Sequence, residues 1–93
     1  MARLVWTERS LSDVARLHRF LAAENASAAA RAIAAIRSGV RILRDFPEIG
    51  RRMDAPYERQ REWMIHFGAA GYVVVYRYDE AVNILADRKS TRL

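Results

Sequence analysis

His66 and Glu62 stand four residues apart in the run Arg61-Glu62-Trp63-Met64-Ile65-His66-Phe67. The alternation of this run reads as a strand, and residues at even separations on a strand share a face. Glu62, Met64 and His66 therefore lie together, opposite Arg61, Trp63, Ile65 and Phe67. An imidazole beside a carboxylate could do acid–base work; a solvated surface histidine is the plainer reading of the same residue. His18 falls on an apolar helical stripe and reads as a histidine at the edge of the core. Arg88, Lys89 and Arg92 form the densest local group of cations. They suit a phosphate or acidic-peptide contact, or simply a solvated tail. Arg51 and Arg52, after Gly50, read as turn residues. There is no Gly-rich phosphate loop, no metal-spaced histidine pair and no nucleophile motif. With no cysteine there is no disulfide framework and no thiolate metal site. No metal and no cofactor is expected.

Ninety-three residues make a single domain, 1–93. Sixteen Lys and Arg against eleven Asp and Glu leave a net charge of +5, carried mostly by arginine. Such a surface is soluble, and it suits an acidic partner, either nucleic acid or an acidic protein segment. Hydrophobic residues make up 52% of the chain, which places it among folded globular proteins. No apolar run approaches the length of a membrane span. Met1 to Trp6 is too short for a signal peptide, so a cytoplasmic location is expected.

Arg3–Trp6 reads as a short opening strand. Thr7 or Ser10 caps a first helix, and Ser10 with Asp13 fits the capping-box spacing. Its apolar stripe reads Leu11, Val14, Ala15, His18, Leu21 and Ala22, widened by Leu17, and Glu24-Asn25 ends it. Phe20 falls on the opposite side, exposed or facing a partner. Ser27 caps a second helix with the stripe Ala29, Ala32, Ile33, Ile36, Val40 and Leu43. Arg31, Arg37, Arg41 and Arg44 lie off that stripe. Gly39 marks a close contact or a bend, and Pro47 stops the helix. After 61–67, a hairpin at Gly68-Ala69-Ala70-Gly71 leads into a strand over 72–78. Tyr72, Tyr76 and Tyr78 share one face there and read as packing residues. Asp79-Glu80 turns the chain into a last strand over 82–86, followed by a short basic tail. The fold class is α+β, in the order β-α-α-β-β-β. An antiparallel helix pair packs on one face of a small, largely antiparallel sheet.

The order and spacing of several short runs resemble the RelE/ParE superfamily, the toxins of type II toxin–antitoxin pairs. The runs are Val5-Trp6-Thr7, Asp13-Val14-Ala15-Arg16-Leu17, the Ala-rich segment 28–43, Phe46-Pro47-Glu48-Ile49-Gly50-Arg51, the strand 71–77 and Val82-Asn83-Ile84-Leu85-Ala86. Members similar to RelE are ribosome-dependent mRNA endonucleases that place cations on the sheet. Their middle strand reads G-Y-R-L-V-Y, and here Val73 takes the arginine position. Met64 and His66 take two lysine positions of the preceding strand. Only His66, Arg88 and Lys89 would remain for such chemistry, and without cations a developing charge goes unstabilised.

The ParE-like branch resembles the chain better, through Val74, Val75, Tyr76 and Arg77. That resemblance implies a non-enzymatic poison of DNA gyrase that traps its DNA-cleaved intermediate, blocks replication and arrests growth. Arg77, Arg88, Lys89 and Arg92 are its target-binding candidates. A small acidic antitoxin would neutralise it, with Phe20, Arg37, Arg41 and Trp63 the candidates for that surface. The alternatives are a RelE-like endoribonuclease acting with ribosome and mRNA, or a degenerate toxin that only binds its antitoxin.

Overall fold

The structure is a computed structural model that describes residues 1–67 and 70–90. Its elements are β1 (Leu4–Trp6), α1 (Glu8–Ala22), α2 (Ala26–Asp45), β2 (Arg51–Arg52), β3 (Arg61–Phe67), β4 (Ala70–Tyr78) and β5 (Val82–Ser90). The sheet order is β1-β5-β4-β3-β2. All pairs are antiparallel except β1 on β5, which runs parallel in the register Leu4↔Val82 to Trp6↔Ile84. The expected α+β order is thus present, with a two-residue strand, β2, added at one edge.

The α2 stripe is buried as the periodicity implies: Ala29, Ala32, Ile36, Val40 and Leu43 are fully inaccessible. They pack on Ile65, Tyr72, Val74, Tyr76, Val82 and Ile84, which share the covered face of the sheet. Gly39 is where the helix comes closest. A Cβ there would lie 2.6 Å from the Ile65 side chain, so only glycine admits this approach. The carbonyl of Gly39 also accepts a 2.9 Å hydrogen bond from the Trp63 indole.

The α1 stripe holds at Val14, Leu17, Leu21 and Ala22 and fails at three positions. Ser10 and Asp13 are buried, whereas Leu11, Ala15 and His18 are exposed. The capping determines this difference. Thr7, not Ser10, is the N-cap: its hydroxyl accepts from the Ser10 N–H and donates to the Ile84 carbonyl on β5. That bond ties the helix start to the sheet, and Ser10 and Asp13 turn inward beside Leu17 and Leu21, which pack on the core. His18 is consequently a surface residue. Asn25 does not end α1; it caps α2, accepting from Ala28 N–H in place of Ser27.

Two further boundaries differ. β5 continues to Ser90, because β4 begins at Ala70 and its first residues need ladder partners: Gly71↔Ser90, Tyr72↔Lys89 and Val73↔Arg88. Residues 87–90 of the expected tail are therefore strand. A register shift opposite Val75 and Tyr76 leaves Leu85 as an extra residue. Simple alternation from Val82 and Ile84 would turn Arg88 inward and Asp87 outward. The bulge reverses this, placing Asp87 opposite the covered Val74 and Arg88 opposite Val73 on the open face.

The Phe46–Arg51 segment is held by one hydroxyl. Tyr76 Oη accepts from Gly50 N–H at 2.9 Å and donates to the Pro47 carbonyl at 2.8 Å. Arg61 adds bonds to the carbonyls of Glu48 and Gly50, each at 2.9 Å. Removing the hydroxyl leaves a buried N–H and a carbonyl without partners. Tyr76→Phe is expected to cost about 1–3 kcal/mol in urea unfolding, with loss of amide protection at Gly50.

Candidate functional site

Three surface regions carry the candidate residues. The first is the open face of the sheet. β3 presents Glu62, Met64 and His66 there, β4 presents Val73, Val75 and Arg77, and β5 presents Arg88. The Glu62 carboxylate sits between two guanidinium groups. Arg51 bonds one oxygen, and Arg88 bonds the other at 3.2 Å. Arg51 reaches it because β2 pairs Arg51 directly with Glu62. The carboxylate–imidazole pair does not form: His66 is exposed at the far end of β3, and Glu62 is engaged by arginines. Between them lie the apolar side chains of Met64 and Val73. A groove of about 330 Å³ beside them is lined by Ile49, Arg51, Glu62, Trp63, Met64 and Val73.

Arg77 is four residues along β4 from Val73, so it stands about 13 Å from the level of Arg88 on the same face. It belongs to a separate basic cleft with Arg52, Arg59 and Arg61, balanced by Glu58 and Asp79. Arg77 pairs with Asp79 at 3.4 Å. The target-binding candidates are thus split between two ends of the sheet. The side chain of Lys89 and the whole of Arg92 lie outside the described residues, as do Gly68 and Ala69 of the expected hairpin connection.

The second region is a groove of about 270 Å³ between β1, α1 and α2. Leu4, Trp6, Leu11 and Val14 give it an apolar floor, and Arg37 and Arg41 stand on its α2 side. Leu11 is 54% exposed, apolar surface that the chain itself does not cover. Trp63 is elsewhere: half-buried, packed against the core and hydrogen-bonded to α2.

The third region lies on the other side of α1, against β5. Asp13 and Asp87 meet here, both buried. Asp13 is well satisfied. It accepts the Asp87 backbone N–H at 3.2 Å, pairs with Arg16 at 2.7 Å and lies 4.0 Å from Arg9. The Asp87 carboxylate has no hydrogen-bond partner among the described residues. Burial, and then the Asp13 charge, push its pKa up to about 6. The Tyr72 hydroxyl is raised as well, first by burial and then by Asp87. The sequence reading passed over this pair. The Ser10–Asp13 spacing reads as a capping box, and nothing along the chain points from Asp13 to Asp87.

With this geometry in hand, comparison with known proteins is informative. The family model for "ParE toxin of type II toxin-antitoxin system, parDE" matches residues 4–90. The chain belongs to the ParE toxin family. A type II toxin of this family implies an antitoxin partner. A relative, Toxin RelE3 of Caulobacter vibrioides, is 40% identical over 83 residues, covering 88% of this chain and 87% of the relative. The chromosomal ParDE toxin–antitoxin system of P. aeruginosa contains a chain of the same fold. The two superpose with a TM-score of 0.79 over 96% of each chain at 16% identity. The ParE-type fold thus persists where little of the sequence does. No helix among the described residues of this ParE-family toxin is long and apolar enough to cross a membrane.

The buried Asp87 sets a pH dependence. Its folded pKa lies above the ordinary 3.8, so the folded state holds the proton more tightly than the unfolded one. Stability rises as pH falls from about 6 toward 4, and above 6 the charged carboxylate costs roughly 2–3 kcal/mol. Asp87→Asn is expected to recover that amount at pH 7.5 and almost none near pH 4. Urea titrations at the two pH values check this.

Proposed function

We propose that the chain acts as a non-catalytic poison of DNA gyrase, neutralised by its antitoxin. The observation that carries this reading is the composition of the open sheet face. At the centre of that face stand Met64, Val73 and Val75, none of which can move a proton or stabilise a phosphate. The nearby cations, Arg51 and Arg88, are turned onto Glu62. Such a surface suits recognition more than bond cleavage. Binding alone suffices for a poison, because favouring the cleaved gyrase–DNA state over the resealed one requires only a difference in affinity. Arg77 and Arg88 are the described candidates for the target contact.

A second reading keeps the ribosome as target. It is favoured by the exposed His66 on the same face and by the RelE name of the 40%-identical relative. In that case His66, Arg88 and Lys89 would carry mRNA cleavage.

The antitoxin would lay an apolar, acidic segment into the groove between α1 and α2, with Arg37 and Arg41 meeting its carboxylates. Reversing both charges, Arg37→Glu with Arg41→Glu, is expected to slow association about tenfold or more at low salt. The difference should shrink as ionic strength rises, as stopped-flow mixing would show.

The deciding experiment is a gyrase supercoiling reaction with purified toxin, stopped with detergent and protease. Linear DNA that increases with toxin and disappears on adding antitoxin supports gyrase poisoning. Intact plasmid alongside ribosome-dependent mRNA cleavage that His66→Ala abolishes would overturn it in favour of the nuclease.

A further inference from the structure

The groove between α1 and β5 has no role in the reading above. It measures about 470 Å³ and is lined by Asp13, Arg16, Leu17, Phe20, Asp87 and Arg88. Phe20 is 60% exposed at its rim, while Asp87 is only 5% exposed at its base. Each charged group around Asp87 among the described residues is turned to another partner. Arg16 and Arg9 are turned to Asp13, and Arg88 is turned by the bulge to Glu62 on the open face. Asp13 itself repels Asp87, and the pKa of the Tyr72 hydroxyl on β4 is raised first by burial and then by the Asp87 charge. Neither Asp87 oxygen has a partner among the described residues.

We propose that this groove receives one cationic side chain, an arginine or lysine, from the antitoxin, seated on the Asp87 carboxylate. An adjacent apolar residue of the same segment covers Leu17 and Phe20. The inference rests on the chain having an antitoxin partner. The choice of a cation follows from complementarity. An acidic side chain would add a third carboxylate to the Asp13–Asp87 pair. A purely apolar occupant would leave the buried charge unpaired. Only a cation offsets the burial, and a guanidinium can bond both free oxygens at once. A basic chain with net charge +5 attracts an acidic antitoxin in general. This groove then demands the opposite charge at one position, which fixes register and discriminates against non-cognate antitoxins.

The test uses the toxin and the antitoxin encoded with it, co-expressed and separated for titration. Carboxyl carbon NMR follows Asp87 in the free toxin and in the complex. In the free toxin the titration is expected near 6; in the complex it should fall below about 4, into the ordinary carboxylate range or lower. Asp87→Asn should stay folded and weaken antitoxin binding about tenfold or more at pH 7.5. Wild-type affinity should drop as pH falls through 6, and the Asn variant should lose this dependence.

A complex that forms with Asp87 still titrating near 6, and an Asn variant that binds equally well, would overturn the cation site and leave the antitoxin reading intact. A free toxin whose Asp87 already titrates below about 4 would also overturn it, because the chain would supply its own cation. Failure of any complex to form would sink the antitoxin reading itself.

Discussion

The close approach of α2 to the sheet at Gly39 is the constraint from which the rest of the fold follows. The fully buried stripe of α2 covers Tyr72, Val74 and Tyr76, so one face of the central strand β4 becomes core and the other stays open. A sheet of this size cannot bury both faces with one helix pair. The open face keeps its polar ends exposed around the nearly buried Val73 and Val75, and the covered face carries the core, with Asp87 its one costly member among the described residues. The Tyr76 hydroxyl extends this division to the edge. By holding Pro47 and Gly50 it delivers Arg51 to β2 and thus to Glu62.

The bulge at Leu85 has consequences on both sides of the sheet. One extra residue in β5 exchanges the faces of Asp87 and Arg88. Arg88 joins Arg51 on Glu62, which neutralises a carboxylate on the open face of the sheet. Asp87 goes beneath α1, where its charge is held at a cost. A buried charge without a counter-ion weakens the isolated fold, and such a cost persists more readily where a partner relieves it.

The grooves on either side of α1 differ in character. The one facing α2 has an apolar floor with arginines beside it, while the one facing β5 has carboxylates at its base and a phenylalanine at its rim. A segment crossing α1 would meet both, and the change of charge across the helix gives it a direction. A net charge of +5 favours encounter with an acidic partner.

Much was legible in the sequence for a definite reason. Hydrophobic periodicity reports burial over a whole element, so the α2 stripe, the alternation of β3 and the burial of Tyr72 and Tyr76 could be read directly, whereas Tyr78, expected to pack with them, is exposed at the end of β4. Gly39 and Pro47 carried local meaning of the same kind. Other features required the folded chain. Whether Thr7 or Ser10 caps α1 depends on a hydrogen bond to Ile84, 77 residues away, and that bond sets which face turns inward. The end of β5 depends on where β4 begins, and the inversion of Asp87 and Arg88 on a bulge that no alternation rule contains. Periodicity is a property of neighbours along the chain. Charge pairing across β2, β3 and β5, and the unpaired Asp87 beside Asp13, arise between residues that only tertiary structure brings together.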